Sequence, residues 1–159
     1  MQGLSICTGD EPRGRRVKCV FQELVHPIRD IVSELHWIIA DVAFRYPTGS
    51  VEALELEQAF AAFLAAESGS LLLMRPGFIE RFAPFIVGDW DQIVGVKSAL
   101  DFGDVVTLDK NRIEMVGQVY FACIDAAFWE VYSPDEEILA RLLTHFPSSI
   151  RKSLLGVLP

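Results

Sequence analysis

A stretch near the end of the chain, residues 119–146, restricts the fold more than any other feature, because it has the pattern of two strands and a delimited helix. Residues 119–124 are apolar and rich in β-branched and aromatic side chains, which is typical of a buried strand. Residues 125–126 predict a turn. Residues 127–132 alternate enough to predict a second strand, with Glu130 on its solvent-facing side.

The helix signals in this stretch are complete at both ends. Ser133 is predicted as the N-cap, Pro134 suits the first helical position, and Glu136 is placed to complete a capping box. One apolar stripe follows at helical spacing, made of Ile138, Leu139, Leu142, Leu143 and Phe146. Pro147 predicts the end of the helix, whose stripe is expected to pack on the two preceding strands.

The rest of the chain shows weaker patterns of the same kind. The first pattern predicts two short helices, or one helix broken at His26-Pro27. After it come a strand over 36–46, a helix from Ser50 to Ser68 and a helical excursion over 71–82 divided at Arg75-Pro76. A hairpin or bulged strand is predicted over 85–96, and a hairpin over 105–116. This order lacks the alternation of a doubly wound fold. It predicts an α+β domain: a mainly antiparallel sheet of about five to six strands, packed by a single layer of helices on one face.

Two parts of the chain differ in character. Residues 1–16 are predicted to be an extended N-terminal arm, because glycines and Pro12 interrupt any periodicity and residues 13–16 are strongly basic. Contact with RNA is one use for such an arm, although basic clusters are common in solvated termini. Residues 17–159 are predicted to form a single α+β domain, which suits a chain of 159 residues.

Composition narrows the class of protein. A hydrophobic fraction of 51% with 11 Phe excludes a disordered chain, while no apolar run is long enough to cross a bilayer. The first residues lack the pattern of a secretory signal, so a cytoplasmic location is expected, without membrane association. Cys7, Cys19 and Cys123 are an odd number without C-x-x-C spacing, which argues against disulfides and against a zinc site. No cofactor is predicted.

Charge is the most informative bulk property. The net charge is -8, but residues 19–150 alone carry 20 acidic and 8 basic side chains. Such a field repels phosphate backbones, so nucleic acid is not an expected partner of the body. A basic protein is the partner that this charge favours.

The segment from residue 89 to residue 109 concentrates acidic side chains around aromatic ones. Its spacing does not match a calcium loop, since Gly88 precedes Asp89 instead of following a third ligand. Solvated loop carboxylates are one interpretation. The other is an interface, because a tryptophan flanked by acids suits a binding hot spot that faces a basic partner. The predicted partner-binding residues are Asp89, Trp90, Asp91, Asp101 and Asp104.

Catalytic patterns are missing from the sequence. It contains no nucleophile elbow, P-loop or dinucleotide fingerprint, and Asp101-Phe102-Gly103 matches a kinase motif only by chance. The histidines His26, His36 and His145 lack metal-ligand spacing, so structural roles are expected for them. The chain is therefore not expected to be an enzyme.

The sequence thus predicts an acidic protein-binding module, such as a stoichiometric inhibitor or an immunity-type protein that masks a basic partner. The alternative is a small-molecule-binding domain or a carboxylate-based enzyme with a pocket between helices and sheet. In that alternative Asp89, Asp91 or Glu130 would converge with His36 in a concave site. Self-association through exposed apolar side chains is a third hypothesis.

Overall fold

A computed structural model describes residues 1–6, 20–41, 49–51, 54–55, 58, 72–88, 91–98, 110–124 and 128–153. Within these ranges the chain forms one antiparallel sheet of seven strands packed by helices, which confirms the α+β class. The sheet is slightly larger than the five to six strands that the sequence predicts. Its strands are β1 (Gln2–Ile6), β2 (His36–Asp41), β3 (Leu72–Met74), β4 (Gln92–Val96), β5 (Gly117–Ile124), β6 (Phe128–Ser133) and β7 (Ile150–Ser153).

The strand order is β3-β2-β4-β5-β6-β1-β7, and every pair of neighbours is antiparallel. The predicted strand pair of residues 119–132 is confirmed, with Tyr120 opposite Tyr132 and Ala122 opposite Glu130. The predicted strand from residue 36 is confirmed as far as Asp41, and residues 42–46 lie outside the described ranges. The predicted turn at 125–126 also lies outside them.

The described helical elements are short apart from the last one. They are α1 (Phe21–Val25), a 3₁₀ turn (His26–Ile28), α2 (Arg29–Val32), α3 (Phe78–Phe82), a 3₁₀ turn (Ala83–Phe85), α4 (Lys110–Val116) and α5 (Glu136–His145). The predicted division at His26-Pro27 is confirmed. Residues 51, 54, 55 and 58 are helical, in agreement with the helix predicted from Ser50.

The first residues of the chain correct the predicted arm. Residues 2–6 form β1, which lies inside the sheet with β6 on one side and β7 on the other. Leu4 and Ile6 are fully buried in the core, so this segment cannot be a solvated extension. The two side chains lie on the same face of the strand, towards the helices, because they are two residues apart. Their burial offsets the entropy cost of ordering the strand. Residues 7–16 of the predicted arm lie outside the described part of the chain.

Two other predicted elements differ from the structure. Residues 72–74 form the edge strand β3 instead of part of a helical excursion. Residues 110–116 form α4 instead of the turn and second strand of a hairpin. Residues 72–74 are a short apolar run, and residues 110–116 contain only three apolar side chains, Ile113, Met115 and Val116. Neither segment is long enough for its spacing to distinguish a helix from a strand, so their neighbours in the fold determine the outcome.

The N-cap of α5 lies two residues after the predicted one. Asp135 is the N-cap, and its Oδ1 accepts a hydrogen bond of 2.9 Å from the Glu137 backbone N–H. The Ser133 hydroxyl instead donates to the Gln118 carbonyl oxygen at 2.6 Å and accepts from the Asp135 N–H at 3.0 Å. Ser133 therefore ties the end of β6 to β5, while Asp135 starts the helix.

The main hydrophobic core lies between the sheet and the helices α1, α2, α3 and α5. Phe21 is fully buried there, with its ring centroid 5.1 Å from that of Phe121 and 4.9 Å from that of Trp129. Aromatic rings at these distances add directional attraction to the burial of apolar area. The apolar stripe predicted for the last helix contributes Ile138, Leu139 and Leu142 to this core.

The second face of the sheet is also packed. A smaller core on that face contains Ile38, Val94 and Tyr120 from neighbouring strands, together with Ile113 from α4. The helical covering is therefore not confined to one face, because α4 lies on the side opposite to α5. In a sheet that is buried on both faces, successive residues of a strand are apolar, because each face of the strand is packed. This explains the uninterrupted apolar run in β5.

Candidate functional site

The predicted acidic segment is described at one of its five site residues. Asp91 is buried, with 1% of its surface exposed, and its carbonyl oxygen accepts a hydrogen bond of 2.9 Å from the Cys123 N–H. The other four, Asp89, Trp90, Asp101 and Asp104, lie outside the described residues and stay predictions. In this structure the Asp91 carboxylate is not presented to solvent.

An acidic surface lies elsewhere, formed by residues of α2, of the loop after it and of the start of α5. It consists of five exposed residues, which we call the acidic surface: Asp30, Glu34, Asp135, Glu136 and Glu137. Three of them occur in succession because the N-terminus of a helix attracts carboxylates, through the N-cap and through the helix dipole. α5 packs on the His26–Ile28 turn, which brings α2 to the same side of the molecule.

Arg141 joins the two parts of the acidic surface. Its Nη1 donates to Asp30 Oδ1 at 2.7 Å, and its Nη2 and Nε donate to Glu137 Oε1 at 2.6 and 3.1 Å. The hydrogen bond from Arg141 lowers the pKa of Asp30 below its ordinary value, and the bond to Asp30 raises the pKa of Arg141. The Asp30 carboxylate is therefore charged over the physiological range, and Arg141 holds it beside α5.

Two clefts open on the helical side, and His26 stands between them. The first, which we call the Glu80 cleft, has a volume of about 60 Å³ and separates α1 and its 3₁₀ turn from α3. The second is a broader depression of about 390 Å³ between Pro27 and the last two turns of α5, lined by Arg141 and His145. The ring centroids of His26 and His145 are 6.3 Å apart. His145 occupies the last turn of α5, as the sequence predicts.

Polar side chains face each other across the Glu80 cleft. Gln22, His26 and Arg29 line the side formed by α1 and the following turn, and Glu80 lines the side formed by α3. The Glu80 Oε2 atom is buried from solvent and accepts no hydrogen bond from the residues that the structure describes. Val25 and Ile79 also line the cleft and are themselves part of the main core, so its walls are anchored there.

Glu130 corrects another prediction, since it is buried with 2% of its surface exposed instead of facing solvent. Its Oε2 accepts a hydrogen bond of 2.6 Å from the Tyr132 hydroxyl, and its Oε1 accepts from Lys152 Nζ of β7. Burial, followed by the nearby Glu130 carboxylate, raises the pKa of both Tyr132 and Tyr120 well above the ordinary range. The two phenols are therefore neutral donors in this network and do not act as bases at physiological pH.

Glu130 and His36 do not form the site that the alternative hypothesis requires. His36 lies on β2, which β4 and β5 separate from β6. Among the described residues, no group of three or more His, Cys, Asp or Glu side chains is arranged to hold a metal ion. None of the helices in the described ranges is both long enough and apolar enough to cross a bilayer.

No known protein family, curated protein or solved structure matches this chain. We therefore infer function from the geometry and charge of the site itself.

Sequence reasoning missed Asp30 and Glu80 as site residues. The cluster at residues 135–137 carried a signal, because consecutive acids at a helix start remain exposed when the helix packs by its apolar stripe. Asp30 and Glu80 carried none, since their significance depends on α5 and α1, which are distant from them in the sequence.

Proposed function

We propose that the protein is an acidic protein-binding module that masks a basic surface of a partner, as a stoichiometric inhibitor or an immunity-type protein does. The observation that supports this proposal most directly is the acidic surface, where Arg141 binds two of the five exposed carboxylates, those of Asp30 and Glu137. Arg141 links Asp30 of α2 to Glu137 of α5, and α5 packs on the turn that precedes α2, so these charges are not isolated from one another.

The physical effect of such a surface is on association. Complementary charges raise the rate at which two proteins meet and disfavour partners of the same sign. Arg141 holds Asp30 and Glu137 in place before binding, which reduces the side-chain entropy lost in the complex. The net charge of -8 extends the attraction beyond the contact area.

The predicted residues Asp89, Trp90, Asp101 and Asp104 stay part of the proposal as a second contact region. Trp90 is the residue of this group that would contribute most, because tryptophans are enriched among interface hot spots. Asp91 is better assigned to the interior, since its side chain is buried beside β5.

The test is capture of a partner from native lysate with the tagged full chain, at low and high salt, followed by mass spectrometry. We expect one basic protein in near-equal amount, and less of it as salt screens the charges. If no basic protein is enriched at low salt, the proposal is wrong.

Two double variants with the same net charge show where on the protein the partner binds. Glu34→Gln with Glu136→Gln removes two charges from the acidic surface, while Val51→Lys with Gln58→Lys adds two charges at exposed positions outside it. We expect the first pair to reduce capture several-fold and the second pair to have a smaller effect. Equal losses in both would assign the binding to overall charge and not to this surface.

A further inference from the structure

The Glu80 cleft has opposite hydrogen-bonding character on its two sides. Gln22, His26 and Arg29 follow one another at helical spacing, so one wall presents an amide, an imidazole and a guanidinium. The facing wall presents the Glu80 carboxylate. A ligand that fits both walls carries a negative group at one end and a positive group at the other.

The Glu80 carboxylate lacks a hydrogen-bond donor from the described residues at one of its two oxygens. Its Oε2 is buried from solvent and accepts no hydrogen bond among the described residues, which is unfavourable for a carboxylate. The terminal bond of a glutamate rotates with little restriction, so either oxygen can meet a donor that enters the cleft. An ammonium group supplies both the donor and the opposite charge.

Arg29 supplies the complementary half of the site. Arg29 is exposed and lines the cleft, and a guanidinium binds carboxylates through paired hydrogen bonds. A simple cation would use Glu80 but would be repelled by Arg29, and a simple anion would have the reverse difficulty. Only a dipolar ligand satisfies both residues.

Size restricts the ligand further. A volume of about 60 Å³ exceeds the space of one water molecule but holds only a few non-hydrogen atoms. The ammonium and carboxylate groups of an amino acid are small enough for this space. A larger side chain would extend from the open mouth.

We propose that the Glu80 cleft binds the ammonium and carboxylate groups of a free α-amino acid, with Glu80 holding the ammonium group and Arg29 the carboxylate. This site is independent of the acidic surface and of any protein partner. The chain would then sense or carry a small metabolite in addition to binding a protein.

Glycine is the probe for the test, because it consists of little more than the two groups. We expect saturable chemical-shift changes at the Gln22 side-chain amide and at the Ala83 backbone amide when ¹⁵N-labelled full-length protein is titrated with glycine. N-acetylglycine lacks the ammonium group and glycine methyl ester lacks the carboxylate, so each should bind at least about tenfold more weakly.

Two variants complete the design. Glu80→Gln and Arg29→Gln should each weaken glycine binding at least about tenfold, while Arg75→Gln, at an exposed position outside the cleft lining, should not. Far-UV circular dichroism of each variant shows whether the fold is intact, and the two modified ligands test the proposal on the unaltered protein.

Three results would overturn the proposal. Shifts that never saturate would show that the cleft holds water only. Tight binding of glycine methyl ester would identify a cation site, and tight binding of N-acetylglycine would identify an anion site.

Discussion

The residue that shows best how this molecule uses a charge in its interior is Glu130. Its carboxylate is buried and has two partners, the Tyr132 hydroxyl on its own strand and the Lys152 ammonium on β7. Lys152 reaches Glu130 across β1, which separates β6 from β7. A buried carboxylate is tolerated only when it is paired in this way.

Replacement of Lys152 by Met should destabilise the protein by about 3 kcal/mol, because Glu130 then keeps its charge in the interior without a cation. Glu130→Gln should lower stability by only about 1 kcal/mol, since the amide oxygen still accepts from Tyr132 and Lys152 is partly solvated. Urea unfolding measures both free energies.

A double variant tests whether Glu130 and Lys152 interact with each other. Glu130→Gln in the Lys152→Met background should recover part of the lost stability, because no unpaired charge remains in the interior. A double variant that is less stable than Lys152→Met alone would contradict the proposed pairing.

The burial of Glu130 could not be predicted from the sequence. In an alternating strand a lone glutamate indicates the solvent side, and this is correct when only one face is packed. Here both faces are packed, and the cation that compensates the charge comes from β7, which the sequence pattern did not identify. Among the predicted site residues, the burial of Asp91 was also not predictable, since an aspartate in an acidic segment of the sequence gives no sign of burial.

At the scale of single elements, proline marked the predicted boundary correctly at two positions. Pro27 divides the first helical segment and Pro147 follows the last helix, as expected from the ring geometry of proline. Elements without such residues were predicted less well. In α4, Ile113 is buried and Glu114 and Met115 are exposed, which is a helical pattern over too few residues to exclude a strand.

The strand β1 depends on a close approach at Gly3. A Cβ atom there would overlap the Tyr132 ring and lie 2.8 Å from the Val131 carbonyl oxygen. The ring of Tyr132 therefore lies over Gly3, on the path by which Lys152 reaches Glu130. Glycine at this position allows the neighbouring strands to complete the network.

Gly3→Ala should accordingly lower the free energy of unfolding by about 3 kcal/mol, because the ring must move and its hydrogen bond to Glu130 is lost. Gly77→Ala is the matched control: it has a positive φ of 87° but no atom near the added methyl group, so backbone strain of about 1 kcal/mol is the only expected penalty. Equal losses in the two variants, measured by urea unfolding, would show that the contact with Tyr132 is unimportant.

The whole molecule is organised by a sheet with two packed faces and two unlike edges. β5 lies near the middle of the strand order and supplies buried residues to both cores. β3 and β7 form the edges, and β7 is largely exposed. Stability should therefore decrease from the centre of the sheet towards its edges.

Hydrogen exchange followed by mass spectrometry measures this gradient directly. Peptides from β5 and β6 should exchange most slowly, those from β1 nearly as slowly, and those from β3 and β7 fastest, since edge strands have fewer shared hydrogen bonds. Rapid exchange of β1, at the rate of β7, would contradict its placement inside the sheet.

The position of β1 has a consequence for how the protein is made. This strand is synthesised before all the others, yet both of its neighbours, β6 and β7, are synthesised last. During synthesis Leu4 and Ile6 leave the ribosome as an apolar segment that has no place to bind until nearly all of the chain has followed. Closure of so long a loop makes the final step slow, and until then the nascent chain exposes a strand suited to binding a chaperone.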